Sequence, residues 1–146
     1  MPIKTFRGLL ADGAVDVISL HTNNGSVGYR IVKFQLMGNK PGVAHGEHTM
    51  KIYSVPQTVA SIDALVDFSD NTLLGAAWFG TDKDYQRGVE SIIFDKMIFN
   101  HDIYITHSET IGSEPGNYYM ELEVMKLDLS ESTEASLKDI RNLTAP

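Results

Sequence analysis

Turn-forming residues recur at short spacing along this 146-residue chain, and the segments between them are mostly apolar. Ala11-Asp12-Gly13 ends the first apolar segment, Ile3 to Leu10. Asn23-Asn24-Gly25-Ser26 follows the next one, Val15 to His21. An Asn-Gly pair between apolar runs favours a tight hairpin, because both central residues of a type I′ turn need positive φ. The spacing predicts a meander of short antiparallel strands with a hairpin at Asn24-Gly25.

Alternation within the segments indicates which strands are half-buried. The clearest is Tyr118 to Leu129, where apolar residues alternate with Glu121 and Glu123. The apolar positions then change phase, and one extra residue in the pairing would cause this, which predicts a β-bulge near Val124-Met125. A similar phase change near Ile31-Val32 indicates either burial on both faces or a bulge.

Several further segments are rich in β-branched and aromatic residues and are predicted strands. They are Val27 to Met37, Thr49 to Val55, Ile62 to Phe68, Thr72 to Phe79, Phe94 to Phe99 and Asp102 to His107. The stretch Ile62 to Phe68 and then Thr72 to Phe79 is ambiguous, because Leu73, Leu74, Ala76, Ala77 and Trp78 could form a helix or a buried strand. The run is short and bounded by turn residues, so we favour a strand.

The C-terminal segment Glu131 to Asn142 is the best helix candidate. Ser130 can cap it, and Lys138 and Arg141 fall late, where the helix dipole favours cations. Together with eight or more short strands, this predicts an all-β fold in one domain spanning residues 1–146. We expect an antiparallel β-sandwich or a jelly-roll-like barrel with a short C-terminal α-helix over residues 130–143.

Composition and charge remove several classes of function. The chain has no cysteine, which excludes disulfides, thiolate metal sites and cysteine nucleophiles. Its net charge of −7 disfavours nucleic-acid binding, which needs clustered Lys and Arg. The opening MPIKTFRGLL lacks the features of a signal peptide, and no window approaches the length of about 18 apolar residues that a membrane helix needs. We therefore expect a protein made inside the cell, with no membrane and no nucleic-acid partner.

Two histidines are weak candidates for metal binding. His45 and His48 lie in the sequence AHGEH, which offers three donors within a short turn. A solvated loop is the alternative, because no fourth ligand is indicated. His101 and His107 are expected at turn and surface positions.

The closely spaced carboxylates are weaker candidates still. Asp63, Asp67 and Asp70 lack the alternation and the glycine of a calcium loop, so solvent-facing side chains are the alternative. Glu121 and Glu123 could form a carboxylate pair for glycoside hydrolysis, but they fit the polar face of a strand.

No motif of nucleophilic or phosphate chemistry is present in the sequence. Ser91, Ser108 and Ser113 have no G-x-S-x-G context, and there is no glycine-rich nucleotide loop. We therefore expect no catalytic residues, no cofactor and no enzymatic activity.

Aromatic residues offer a different kind of site. Flat rings stack on sugar faces, so five of them could form a carbohydrate platform or an interface, with core packing as the alternative. These residues are Trp78, Phe79, Tyr85, Tyr118 and Tyr119.

Three stretches resemble small virion proteins of marine tailed phages. They are KTFRGLLADGAVDVISLHTNNGSVGYRIVKFQLM, IIFDKMIFNHDIYITH and NYYMELEVMKLDLSESTEASLKDIRN, which together cover most of the chain. The resemblance implies a structural protein that decorates the capsid or belongs to the tail. It further implies assembly in the cytoplasm of a bacterial host and partners that are copies of itself and other virion proteins. A carbohydrate- or receptor-binding module and a small hydrolase or metal-dependent enzyme are the alternatives.

Overall fold

A computed structural model of the protein describes residues 2–20, 26–41, 46–81, 88–94 and 97–127. Within these residues the chain forms eight β-strands and one 3₁₀ turn, Val59–Ser61. The strands are β1 (Ile3–Leu10), β2 (Val15–Ile18), β3 (Val27–Gly38), β4 (Gly46–Tyr53), β5 (Leu73–Thr81), β6 (Val89–Ile93), β7 (Ile103–Glu109) and β8 (Gly116–Lys126). The predicted all-β class is confirmed. The predicted Asn24-Gly25 hairpin and the predicted helix over residues 130–143 lie outside the described residues.

The strands form two antiparallel sheets. One has three strands in the order β1-β8-β3, and the other has five in the order β2-β7-β4-β5-β6. The first strand thus pairs with the last, with Ile3 opposite Glu123, and β2 pairs with β7. The predicted meander is therefore wrong except for β4-β5-β6, because turn residues mark where strands end but do not select their partners.

The core lies between the two sheets, so the fold is a β-sandwich. Phe34, Met120 and Leu122 of the three-stranded sheet are fully buried. They belong to the same core cluster as Met50 and Ile105 of the five-stranded sheet. Each such side chain contributes about 1.5–3 kcal/mol on burial. Two strongly apolar sheet faces explain why a chain without disulfides forms this sandwich.

A β-bulge lies in β3, and the one predicted for β8 is not there. Pairing of β8 continues through Val124 and Met125 without a shift, so the bulge predicted there is wrong. The register shifts between Ile31 and Lys33, which confirms the bulge reading of the earlier phase change. The apolar phase change in β8 has another cause: Leu127 follows the strand and is buried, and its backbone N–H bonds to Ser26.

Two of the predicted strands do not form within the part of the chain that the structure describes. Ile62 to Phe68 is irregular chain, whereas Thr72 to Phe79 belongs to β5 as predicted. The described part of Phe94 to Phe99 makes only an isolated bridge between Phe99 and Tyr29. Among the described residues, no helix has the length and hydropathy to cross a membrane.

Candidate functional site

The predicted aromatic residues lie on different faces of the sandwich. Tyr118 points into the core, where its hydroxyl donates to the carboxylate of Asp16. Burial and this hydrogen bond raise the pKa of Tyr118. Phe79 also lies between the sheets, with its ring centroid 6.1 Å from that of His48. Both rings pack inside the sandwich, and both also border the groove of the three-stranded sheet that Tyr119 lines.

The other two described rings face opposite sides of the molecule. Trp78 is half-buried on the outer face of the five-stranded sheet, where it pairs with Thr49 and Glu90. Tyr119 lies on the outer face of the three-stranded sheet, and its hydroxyl donates to Glu121 at 2.6 Å. The structure therefore does not bring Trp78 and Tyr119 together, and Tyr85 lies outside the described residues.

His48 and His107 form a buried pair, although sequence reasoning placed the first in a solvated loop and the second at the surface. Nδ1 of His107 lies 3.0 Å from the carbonyl oxygen of Leu10 and 3.1 Å from that of Ala11, so this nitrogen donates a proton. Nε2 of a neutral His107 is then an acceptor, and it lies 2.9 Å from Nδ1 of His48, which donates. His45 lies outside the described residues.

Close packing explains how the two imidazoles come within hydrogen-bond distance of each other. Their ring centroids are 5.1 Å apart with planes 16° from parallel. A Cβ on Gly38 or on Gly116 would lie 3.1 Å from a ring nitrogen of the pair. The two glycines therefore provide the space that the rings occupy. Burial lowers the pKa of His48, and the neighbouring His107 lowers it further.

A carboxylate beside this pair is bound by the backbone. Burial opposes ionisation of Glu109, but N–H groups of Glu47, Ile111 and Gly112 donate to its carboxylate at 2.6–3.0 Å and lower its pKa overall. Asp12 accepts the backbone N–H of Glu109 at 2.8 Å. The network joins the turn after β1 to the ends of β4 and β7.

The acidic residues of segment 63–70 do not converge. Asp67 accepts the backbone N–H and hydroxyl of Ser69, and Asp70 accepts those of Thr72. Such bonds build local turns. In the described part of the chain, no group of three His, Cys, Asp or Glu residues could hold a metal ion.

Asp63 instead bonds to a buried lysine, which sequence reasoning missed. The ammonium of Lys51 lies 3.0 Å from the Asp63 carboxylate and 2.6 Å from the carbonyl oxygen of Leu65. The Lys51 side chain is only 4% exposed. The hydrogen bond from Lys51 lowers the pKa of Asp63. These contacts hold segment 62–68 against the outer face of the five-stranded sheet.

A pocket of about 300 Å³ lies between segment 62–68 and the indole of Trp78. Its lining combines one indole, apolar side chains and two carboxylates. The lining residues are Glu47, Thr49, Ala64, Val66, Phe68, Ala76, Ala77, Trp78, Glu90, Ser91 and Ile92. Only Trp78 among them was predicted as a site residue, because the others come from four separate segments that the fold brings together.

A second, larger groove of about 810 Å³ opens at the three-stranded sheet. Rows of paired residues cross this sheet on its outer face, and two rows line the groove. One row is Leu9-Asn117-Met37 and the other is Arg7-Tyr119-Gln35. The groove continues past the edge of β3 to Phe79 and Val89.

A scan against protein-family models and a search of curated protein sequences both find no match to this chain. The chemistry of both concavities is therefore inferred from their geometry.

Proposed function

We propose that this protein is a non-enzymatic structural component of a phage virion, which acts by self-association or by decorating the capsid or tail. The observation that carries the proposal is an exposed apolar surface on the three-stranded sheet. Leu9 is 56% exposed and Met37 is 57% exposed, and both flank Asn117 across the sheet. Large apolar side chains that are exposed near one another on one sheet face support a protein contact there.

The strand order supports a jelly-roll-like arrangement within the sandwich. The first strand lies beside the last, β2 lies beside β7, and β4 lies beside β5. Such nested pairing results when two Greek keys roll up, and jelly rolls of this type occur in viral capsid and lectin domains. β6 departs from the pattern, since it pairs with β5 instead of extending the sheet next to β3.

The edge strand β6 of the five-stranded sheet supports assembly as well. β6 is exposed along most of its length, and Val89 and Ile92 are 54% and 45% exposed. An apolar edge strand with unpaired backbone groups can accept a strand from a neighbour. Such an edge suits either a second copy of the chain or another virion protein.

Light scattering coupled to size-exclusion chromatography tests the proposal. We expect species larger than the 16.2 kDa chain at high concentration, or binding to capsid or tail components of the same phage.

Met37→Lys should weaken either association. Leu65→Lys, at an apolar position on segment 62–68 that is 69% exposed, is the matched control and should have no effect. A strict monomer that binds no capsid or tail component would contradict the proposal. Genes for portal, capsid or tail proteins beside its own would support it.

A carbohydrate- or receptor-binding module is the second candidate. Tyr119 lies between Arg7 and Gln35 in one row of the outer groove, with Asn117 in the next row. An aromatic ring flanked by amide and guanidinium groups suits the apolar faces and hydroxyls of a sugar. A glycan array tests this function with Tyr119→Ala and Trp78→Ala side by side. Saturable binding lost in only one variant would assign the function to that ring's face.

A further inference from the structure

We propose that the pocket beside Trp78 binds an alkylammonium group. The pocket lies on the outer face of the five-stranded sheet, away from the groove that carries the assembly proposal. The pocket shares Ile92 with strand β6, whose edge supports the assembly proposal, but the inference of a ligand does not use self-association. It rests on the orientation of the indole, on the charge of the lining and on the apolar walls.

The indole of Trp78 is fixed in place before any ligand binds. Its Nε1–H donates to the Glu47 carboxylate at 3.2 Å. The six-membered ring lies over Gly80, where an added Cβ would be 2.6 Å from Cζ2 of the indole. Just before β6, a Cβ added to Gly88 would lie at an ordinary contact distance of 3.6 Å from Cζ3 of the same ring. A ring held at both ends loses little conformational freedom on binding, which favours affinity.

The charge of the pocket selects a cation. Glu90 pairs directly with Trp78 across β5 and β6, and Glu47 lies on the other side of the indole on β4. Within the part of the chain that the structure describes, the lining contains no Lys or Arg. The nearby Lys51 ammonium is already bound by Asp63 and by the Leu65 carbonyl. Two carboxylates with no lysine or arginine among the described residues of the lining, on a chain of net charge −7, attract a positive ligand.

The apolar walls select an organic cation over a metal ion. Val66, Phe68 and Ile92 line the pocket with three alanines, and the two carboxylates cannot supply the six or more oxygens that calcium prefers. Phe68 is 56% exposed, and its ring makes an edge-to-face contact with Phe94 at 5.4 Å. Methylated ammonium groups are weakly hydrated and bind well against tryptophan. The site therefore fits a quaternary ammonium or a lysine side chain of a partner.

The only tryptophan of the chain is Trp78, so its fluorescence reports directly on this pocket. We would titrate the full-length protein with choline and, separately, with 3,3-dimethyl-1-butanol, which replaces the charged nitrogen by carbon. Choline should give a saturable change, and the neutral isostere should bind about three- to thirtyfold more weakly, the range that a cation–π contact contributes. Line broadening of the choline methyl signal in proton NMR provides a second readout that does not depend on fluorescence.

Two variants locate the site. Glu90→Gln removes one carboxylate without changing shape and should weaken choline binding severalfold. Glu114→Gln is the matched control, because Glu114 lies 3.9 Å from Lys40 and outside the pocket lining. Nα-acetyl-lysine amide distinguishes the source of the cation: tighter binding than choline indicates a partner's lysine, and weaker binding indicates a free quaternary amine. Equal binding of choline and its isostere, no saturable response in either readout, or equal binding by Glu90→Gln and wild type would overturn the proposal.

Discussion

At the scale of single residues, the buried imidazole pair makes stability depend on pH. Burial and His107 lower the pKa of His48, against the opposing charges of Glu109, Asp12 and Glu114. The folded state therefore binds fewer protons than the unfolded state once the pH falls below the ordinary histidine pKa of about 6.5. Stability from this group is fully present above that pH and is lost on the way down to the folded pKa.

We therefore expect the free energy of unfolding to fall between about pH 7 and about pH 5, before the carboxylates titrate. Urea unfolding followed by Trp78 fluorescence measures it at each pH. His48→Gln should flatten this slope, whereas His101→Gln, at a half-buried position outside the pair, should retain it. A wild-type slope of the opposite sign would contradict the assignment. Glu109, whose pKa is also lowered, adds a further loss of stability at lower pH.

The buried lysine gives a second prediction at this scale. Asp63→Asn keeps the local bond to the Leu65 N–H but removes the charge that faces the Lys51 ammonium. We expect a loss of about 1 kcal/mol, because the Asp63 side chain is 61% exposed and water replaces part of the interaction. Asp67→Asn is the matched control, since it removes one charge from a similar turn without touching Lys51. Equal losses in the two variants, measured by urea unfolding, would show that the ion pair contributes nothing.

The partners of His48 and Lys51 could not be predicted from the sequence. His48 was recognised as a candidate ligand, but nothing local to it reveals that His107, 59 positions away, supplies its partner. Lys51 lies in a predicted strand between the apolar residues Met50 and Ile52. Such alternation is typical of a lysine that faces solvent. Its burial results from segment 62–68 folding over the sheet, and the sequence carries no short-range signal of that contact.

At the scale of strands, composition located the elements better than their pairing. Ile3–Leu10 was predicted with the bounds that the structure has, because turn residues delimit it. Phe94 to Phe99 was predicted as a strand because it is apolar and aromatic. Phe99 is indeed buried, but it packs on Tyr29 from irregular chain, with ring centroids 6.2 Å apart. An apolar composition therefore predicts that a segment is buried. It does not distinguish a buried strand from a buried loop, because both are apolar.

Glycines within β5 and beside β6 provide a prediction about these elements. A Cβ on Gly80 would lie 2.6 Å from Cζ2 and 2.9 Å from Cη2 of Trp78, so Gly80→Ala must displace the indole. We expect a shift of the Trp78 emission maximum and a loss of stability of about 1–3 kcal/mol. Gly88→Ala is the control, because its Cβ would lie at an ordinary 3.6 Å from the same ring. An unchanged emission spectrum in Gly80→Ala would contradict the packing described for this ring.

At the scale of the whole molecule, both sheets join distant parts of the chain. β8 contributes the central strand of one sheet and pairs with β1 and β3, so that sheet is complete only when the two ends of the described chain meet. β7 likewise joins β2 to β4 in the other sheet. Local patterns could predict the all-β class and most of the strands, but the choice of these partners depends on the closure of long loops.

This topology predicts slow folding. Closing long loops costs entropy before the strand pairs can stabilise the product, so folding should take about milliseconds to seconds, as in other β-sandwiches. Stopped-flow refolding from urea, followed by Trp78 fluorescence, measures the rate.

Leu122→Ala, in the central strand β8, should destabilise the protein by about 2–5 kcal/mol. It should also slow folding, in proportion to the β8 pairing already formed in the transition state. Val89→Ala, on the edge strand β6, is the control for Leu122→Ala. Val89 is 54% exposed, so its truncation should change the folding and unfolding rates much less. Complete refolding within microseconds would contradict a folding barrier set by the pairing of β8 with both ends of the described chain.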